Sequence, residues 1–173
     1  MNTALLVAAA RLASESVDVS IYSDLAELPP FNPDLDGDRT PVAVTSFRSQ
    51  LEACDALLIS SPEYAHGVPG VLKNAIDWLS RMTPQPFAGK PMAQFGASGG
   101  PLGTARAQYH LRQMMVFLDG RPVNKPEVMI GQAQNRFTDG KLNDEATGKL
   151  LADLAASLVL AIRHAKAAAA HVK

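Results

Sequence analysis

The chain has 173 residues, with 16 Lys and Arg against 17 Asp and Glu and a formal net charge of −1. That balance supplies no bulk field for nucleic acid or an anionic membrane. Its single cysteine, Cys54, excludes an internal disulfide framework and a multi-cysteine zinc site, and no apolar run reaches the roughly 18 residues of a membrane span.

Met1-Asn2-Thr3-Ala4 leads directly into Leu5-Leu6-Val7-Ala8-Ala9-Ala10, and the first basic residue, Arg11, follows the apolar run. A signal peptide has the opposite order. The segment predicts an amphipathic helix starting almost at residue 1, capped by Asn2 or Thr3. With one cysteine and no export signal, the expected compartment is the cytoplasm. Val17-Asp18-Val19-Ser20-Ile21-Tyr22-Ser23 alternates with period two and predicts a strand. Leu28-Pro29-Pro30-Phe31-Asn32-Pro33-Asp34 is a proline-rich loop.

Val44, Phe47 and Leu51 fall at helical spacing. Ala56-Leu57-Leu58-Ile59, ending in Ser60-Ser61-Pro62, has the pattern of a strand buried on both faces. Leu72, Ala75, Ile76 and Leu79 form the next helical stripe, after Pro69-Gly70 and before Pro84 and Pro86. Pro91 to Gly96 is a third strand, followed by Gly99, Gly100 and Gly103 and a helix through Ala105, Leu111, Met115 and Leu118. Val128-Met129-Ile130 is a fourth strand. Leu150, Leu154, Leu158 and Ile162 mark a last helix, with about 165–173 as an exposed tail.

Strands alternating with helices imply βαβ units and a mostly parallel sheet, with helices on both faces. One domain over 1–173 accounts for the pattern. Ligands in such folds bind outside the carboxyl ends of the strands, which directs the reading to the loops after Ile59 and Phe95. The first holds Pro62, Glu63, Tyr64, His66 and Gly67. Prolines stiffen it, glycines allow close backbone approach, and Tyr64 adds an aromatic face. It suits a flat ring or a tight strand-to-helix turn without a ligand. The second, Gly96-Ala97-Ser98-Gly99-Gly100-Pro101-Leu102-Gly103, places amides before a helix. It is neither a P-loop nor GxGxxG, and by itself it reads as a plain glycine turn sooner than as a site.

Together, Ser61-Pro62-Glu63-Tyr64-Ala65-His66-Gly67-Val68-Pro69-Gly70-Val71-Leu72-Lys73-Asn74-Ala75-Ile76-Asp77-Trp78 and the Ser98-Gly99-Gly100 turn resemble the NADPH-dependent FMN reductase family, which includes chromate and quinone reductases. Leu28 to Asp34 is similar to the family's loop after its second strand. The resemblance implies a flavodoxin-like, doubly wound α/β fold. It implies FMN and NAD(P)H as cofactors, with hydride passing from nicotinamide to FMN and electrons then leaving to a quinone, flavin, azo compound or metal oxyanion. It implies that Pro62, Glu63, Tyr64, His66 and Gly67 border one edge of the isoalloxazine ring, largely through backbone atoms, and Ser98, Gly99 and Gly100 the other. It also implies a homodimer or homotetramer; Trp78 is the expected contact anchor, since aromatics are enriched in interface cores.

The family begins with an apolar strand and a Gly-Ser-x-Arg-type phosphate loop. Asn2-Thr3-Ala4-Leu5-Leu6 instead resembles the helix after that loop, so the expectation is a sheet without its first, central strand and a weakened phosphate cradle. A flavin-poor paralogue and a flavodoxin-type electron carrier are the alternatives. Such carriers are usually strongly acidic, which a net charge of −1 does not match. No side chain is expected to be a catalytic acid or a metal ligand. His66 is read as positioning, and His110, His164 and His171 as surface residues. Cys54 is read as a small buried hydrophobe, Tyr109 as a packing or subunit-contact residue, and Arg106 as a solvated charge or a contact for a pyridine nucleotide phosphate.

Overall fold

The structure, a computed structural model, describes residues 1–13 and 17–170. In chain order its elements are α1 (Asn2–Ala13), α2 (Val42–Ala53), β1 (Leu57–Ser60), α3 (Gly70–Ser80), β2 (Pro91–Ala97), α4 (Ala105–Phe117), β3 (Arg121–Pro122), β4 (Val128–Ile130), the pair β5 (Phe137–Thr138) and β6 (Lys141–Leu142), and α5 (Glu145–Ala170).

All seven residues of β2 are buried, and the sheet is built around it. β1 runs parallel to it, with Leu57 opposite Met92 and Ser60 opposite Phe95. Its other edge carries β3 at Pro91 and Met92, then β4 from Phe95 to Ala97, both parallel. The period-two geometry of a strand divides β2 between two layers. Ala93, Phe95 and Ala97 pack with Leu5 and Ala9 of α1 and with Leu151, Leu154 and Leu158 of α5. Met92 points the other way, to Leu51 of α2, Ile76 and Leu79 of α3, and Leu111 and Met115 of α4. Helices therefore cover both faces of a parallel sheet, as the alternation predicts.

The proline-rich loop is fastened to α3. Asn74 Oδ1 accepts from the Phe31 amide at 2.8 Å, and its Nδ2 donates to the Leu28 and Pro29 carbonyls at 3.3 and 3.0 Å. Trp78 Nε1 donates to Pro29 at 2.8 Å, and its ring meets Phe31 edge-on at 5.1 Å. Trp78 is only 1% exposed. It therefore packs inside the chain and cannot anchor a subunit contact.

Several expectations change. Exposure alternates only from Val17 to Ser20, then breaks where Ser20 and Ile21 are both exposed, and residues 17–23 join no ladder because among the described residues no other strand lies alongside to supply amides and carbonyls. Tyr22 packs instead on Phe47, at 4.7 Å between ring centroids. β1 is half-buried along its length rather than fully buried, since among the described residues only β2 pairs with it. Asn2 does not cap α1: its side chain pairs with the backbone of Ala97. In α5 the buried stripe runs through Leu151, Leu154 and Leu158, while Leu150 faces out. The expected tail remains helical to Ala170 and is exposed, with Lys166 reaching Asp55 at 2.7 Å. His110 and His164 are exposed, and His171 lies outside the described residues.

Candidate active site

Because β1 and β2 are parallel neighbours, the loops that follow them leave the same edge of the sheet. They also touch. The Ser61 amide donates to the Phe95 carbonyl at 3.0 Å, extending the ladder one residue past β1. At Gly96 a Cβ would lie 2.1 Å from the Ser61 carbonyl oxygen and 2.5 Å from Thr104 Oγ1. Only glycine allows this approach. The N-terminus of α1 meets the same edge. Asn2 Nδ2 donates to the Ala97 carbonyl at 2.8 Å and its Oδ1 accepts from the Ala97 amide at 2.9 Å, while Ser60 Oγ donates to the Asn2 carbonyl at 3.0 Å.

The first loop turns sharply. Tyr64 and Gly67 exchange two backbone hydrogen bonds, of 3.2 and 2.9 Å, around Ala65 and His66. Both central residues have positive φ, +47° and +62°. A two-residue turn of this kind favours Asn-Gly, and a non-glycine residue there costs on the order of 1 kcal/mol. Tyr64 is 65% exposed. The Ala65 and His66 amides have no hydrogen-bond partner among the described residues. His110 of α4 stands beside this loop, with Nδ1 3.7 Å from where a Gly67 Cβ would be.

The second loop is seated on the end of β4. Ser98 donates its amide to Ile130 at 2.9 Å and accepts from Ala133 at 3.0 Å, and Gln132 donates to the Gly100 carbonyl at 3.0 Å. Ser98 Oγ accepts from the Gly100 amide at 3.2 Å. Gly99 and Gly100 are exposed, and the Gly99 amide has no partner among the described residues.

Glu63 turns inward. Its carboxylate accepts from Arg106 Nη1 at 3.0 Å and from the Ala107 amide at 3.1 Å, and its side chain is 7% exposed. Burial pushes the carboxyl up, but the Ala107 amide and the Arg106 guanidinium outweigh it and hold it below the ordinary glutamate range. Beneath α4, Gln108 Nε2 donates to Thr104 Oγ1 and to the Val128 carbonyl, both at 2.9 Å, and Gln94 Nε2 donates to the Gln108 carbonyl at 3.2 Å.

The structure thus brings Pro62, Glu63, Tyr64, His66 and Gly67 together with Ser98, Gly99 and Gly100 at one edge of the sheet. Within that set the Glu63 side chain serves α4, which leaves its backbone to border the ring as the resemblance implies. Arg106, read as a solvated or phosphate-facing charge, is its ion-pair partner. Sequence reasoning missed Asn2, Thr104 and Gln108, and no local pattern marks a hydrogen bond between residues 95 apart. Partnerless amides on two abutting loops, beside an exposed aromatic ring, form a donor set that fits the polar edge of a flat heteroaromatic cofactor. Among the described residues, no group of three or more His, Cys, Asp or Glu is placed to hold a metal ion, and no helix is long and apolar enough to cross a membrane.

Known proteins share both the sequence and the fold. Over 158 residues the chain is 50% identical to an NAD(P)H-dependent FMN reductase of Pseudomonas aeruginosa, covering 91% of this chain and 81% of that protein. A quinone reductase of Escherichia coli is 42% identical over 140 residues, 79% of this chain and 74% of that one. FerB, a flavoenzyme NAD(P)H:(acceptor) oxidoreductase of Paracoccus denitrificans, superposes with a TM-score of 0.83 at 33% identity, covering 95% of this chain and 90% of its own. The fold is flavodoxin-like. With the family's sequence model matching residues 1–135, the chain belongs to the NADPH-dependent FMN reductase family.

Proposed function

We propose that the two loops at the carboxyl edge of the sheet hold the ring of FMN in an enzyme that takes electrons from NAD(P)H and delivers them to a quinone, a free flavin or a metal oxyanion. As a member of its family the chain is a flavin-dependent NAD(P)H oxidoreductase. When bound, FMN supplies acceptance of a hydride and onward release of its electrons, chemistry that no side chain can perform. The protein's part is to bind and orient. Backbone donors at Ala65, His66 and Gly99 meet the polar edge of the ring, Tyr64 offers an apolar face, and Pro62, Gly67, Ser98 and Gly100 set the loop paths. No side chain is needed as a proton donor in this reading.

The observation that carries it is the convergence of two glycine-bearing loops whose amides lack protein partners. A quinone acceptor follows the naming of the Escherichia coli relative as a quinone reductase. Exposed apolar residues on α4, Tyr109, Val116 and Phe117, at 51%, 83% and 79% exposure, support association into a homodimer or homotetramer. The chain works as one flavodoxin-like domain, in the cytoplasm. Titrating FMN into the protein and following quenching of its fluorescence tests the site. Saturable binding that weakens in Tyr64→Ala supports the reading. An unsaturable signal would favour a flavin-poor protein instead.

A further inference from the structure

We propose that Glu63 is a positioning residue that fixes the spacing of the two flavin loops by tethering the first of them to the start of α4. The inference rests on the FMN reading above but concerns a side chain that does not face the ring. The loops approach under two opposing constraints. Gly96 sets the inner limit, because the Ser61 carbonyl and Thr104 already crowd the space a Cβ would take. The Glu63 carboxylate sets the outer limit. It spans from the residue just before the Tyr64–Gly67 turn to Arg106 and Ala107, 43 and 44 residues further along the chain.

The anchor at the far end is firm. Thr104 and Gln108 are fully buried, and Gln108 binds the start of α4 to the carbonyl of Val128 in β4. The turn on the near side stores strain at Ala65 and His66. A strained turn keeps its shape only if its base is fixed, and Glu63 holds that base. The carboxylate also lies in the first turn of α4, where unpaired amides and the helix dipole favour an anion. Glu63 therefore acts on the amides of 65 and 66 through the backbone, without contact with FMN.

A plain helix cap would show the same hydrogen bonds, so the test separates capping from tethering. FMN affinity by fluorescence quenching and the chemical denaturation midpoint of the FMN-free chain are measured for wild type, Glu63→Ala, Glu63→Gln and the double variant Glu63→Ala/Ala105→Asp. The last restores an anion at the start of α4 without a link to the loop. Glu63→Ala is expected to bind FMN about tenfold more weakly, the scale of one charged hydrogen bond, and to unfold at lower denaturant. Glu63→Gln, which keeps an acceptor for the Ala107 amide, is expected to recover most of the affinity. The double variant is expected to recover the midpoint but not the affinity. Affinity returning in step with stability would reduce Glu63 to a cap and overturn the proposal, as would unchanged affinity in Glu63→Ala. A wild-type chain that does not bind FMN would overturn the site reading itself, and the tether with it.

Discussion

Replacing Gly96 with alanine tests whether the two loops abut as described. A Cβ there would sit 2.1 Å from the Ser61 carbonyl oxygen, 2.5 Å from Thr104 Oγ1 and 3.0 Å from Thr104 Cγ2. Non-bonded carbon contacts settle at about 3.5–4.0 Å, so more than about 1 Å must open. Neither neighbour yields easily: Ser61 is held to Phe95 by its amide, and Thr104 to Gln108 by its hydroxyl. Overpacking of this kind costs about 1–3 kcal/mol. At roughly 2 kcal/mol, a chain of this length should lose about 4–8 °C in Tm. Since the displaced groups are the bases of both loops, FMN affinity should fall by about tenfold or more. Denaturation followed by Trp78, the single and buried tryptophan, reads the first quantity, and flavin titration the second. Gly70→Ala is the control, because nothing lies within 4 Å of its Cβ. If Gly96→Ala matched wild type in both measurements, the loops would not meet at Gly96 and the reasoning would be wrong.

Asn74→Ala removes the three hydrogen bonds that fasten the proline-rich loop to α3. A loss of about 2–3 kcal/mol is expected, with residues 24–40 gaining protease and hydrogen-exchange sensitivity ahead of the rest of the chain. Asp144 caps α5: it accepts from the Thr147 hydroxyl and amide at 2.6 and 2.8 Å and from Arg136 at 2.7 Å. The Thr147 hydroxyl first, and then Arg136, bring its carboxyl down to about 2. The stabilisation is therefore complete above the ordinary aspartate value of about 3.9 and is lost as pH falls towards 2. Acid denaturation of wild type and Asp144→Asn should show a gap that is constant near neutrality and closes over that interval.

What the sequence revealed was periodicity, and what it concealed was contact. α3 and β2 were legible because the Leu72, Ala75, Ile76, Leu79 stripe and the apolar run from Pro91 carry their burial in local spacing. Val17 to Ser23 carries an equally clear alternation, yet it forms no strand, because a ladder depends on a neighbouring strand that no local pattern reports. The β5–β6 hairpin had a readable signal in Asp139-Gly140, whose φ values of +48° and +73° are those of a tight two-residue turn. Its strands are only two residues each and show no period. At the site, the loop residues were legible through glycine, proline and the resemblance they carry. The inward turn of Glu63 towards Arg106 was not, since a carboxylate in an exposed loop and a carboxylate under a helix N-terminus have the same local sequence.

As proposed, this chain moves electrons from NAD(P)H to a quinone by way of FMN. Steady-state oxidation of NADPH by the FMN-supplemented protein, with NADPH and a benzoquinone varied together, tests it most directly. FMN-dependent turnover with parallel double-reciprocal lines is expected, as the oxidised nicotinamide leaves before the quinone binds. Absence of FMN-dependent NADPH oxidation at saturating flavin would contradict it.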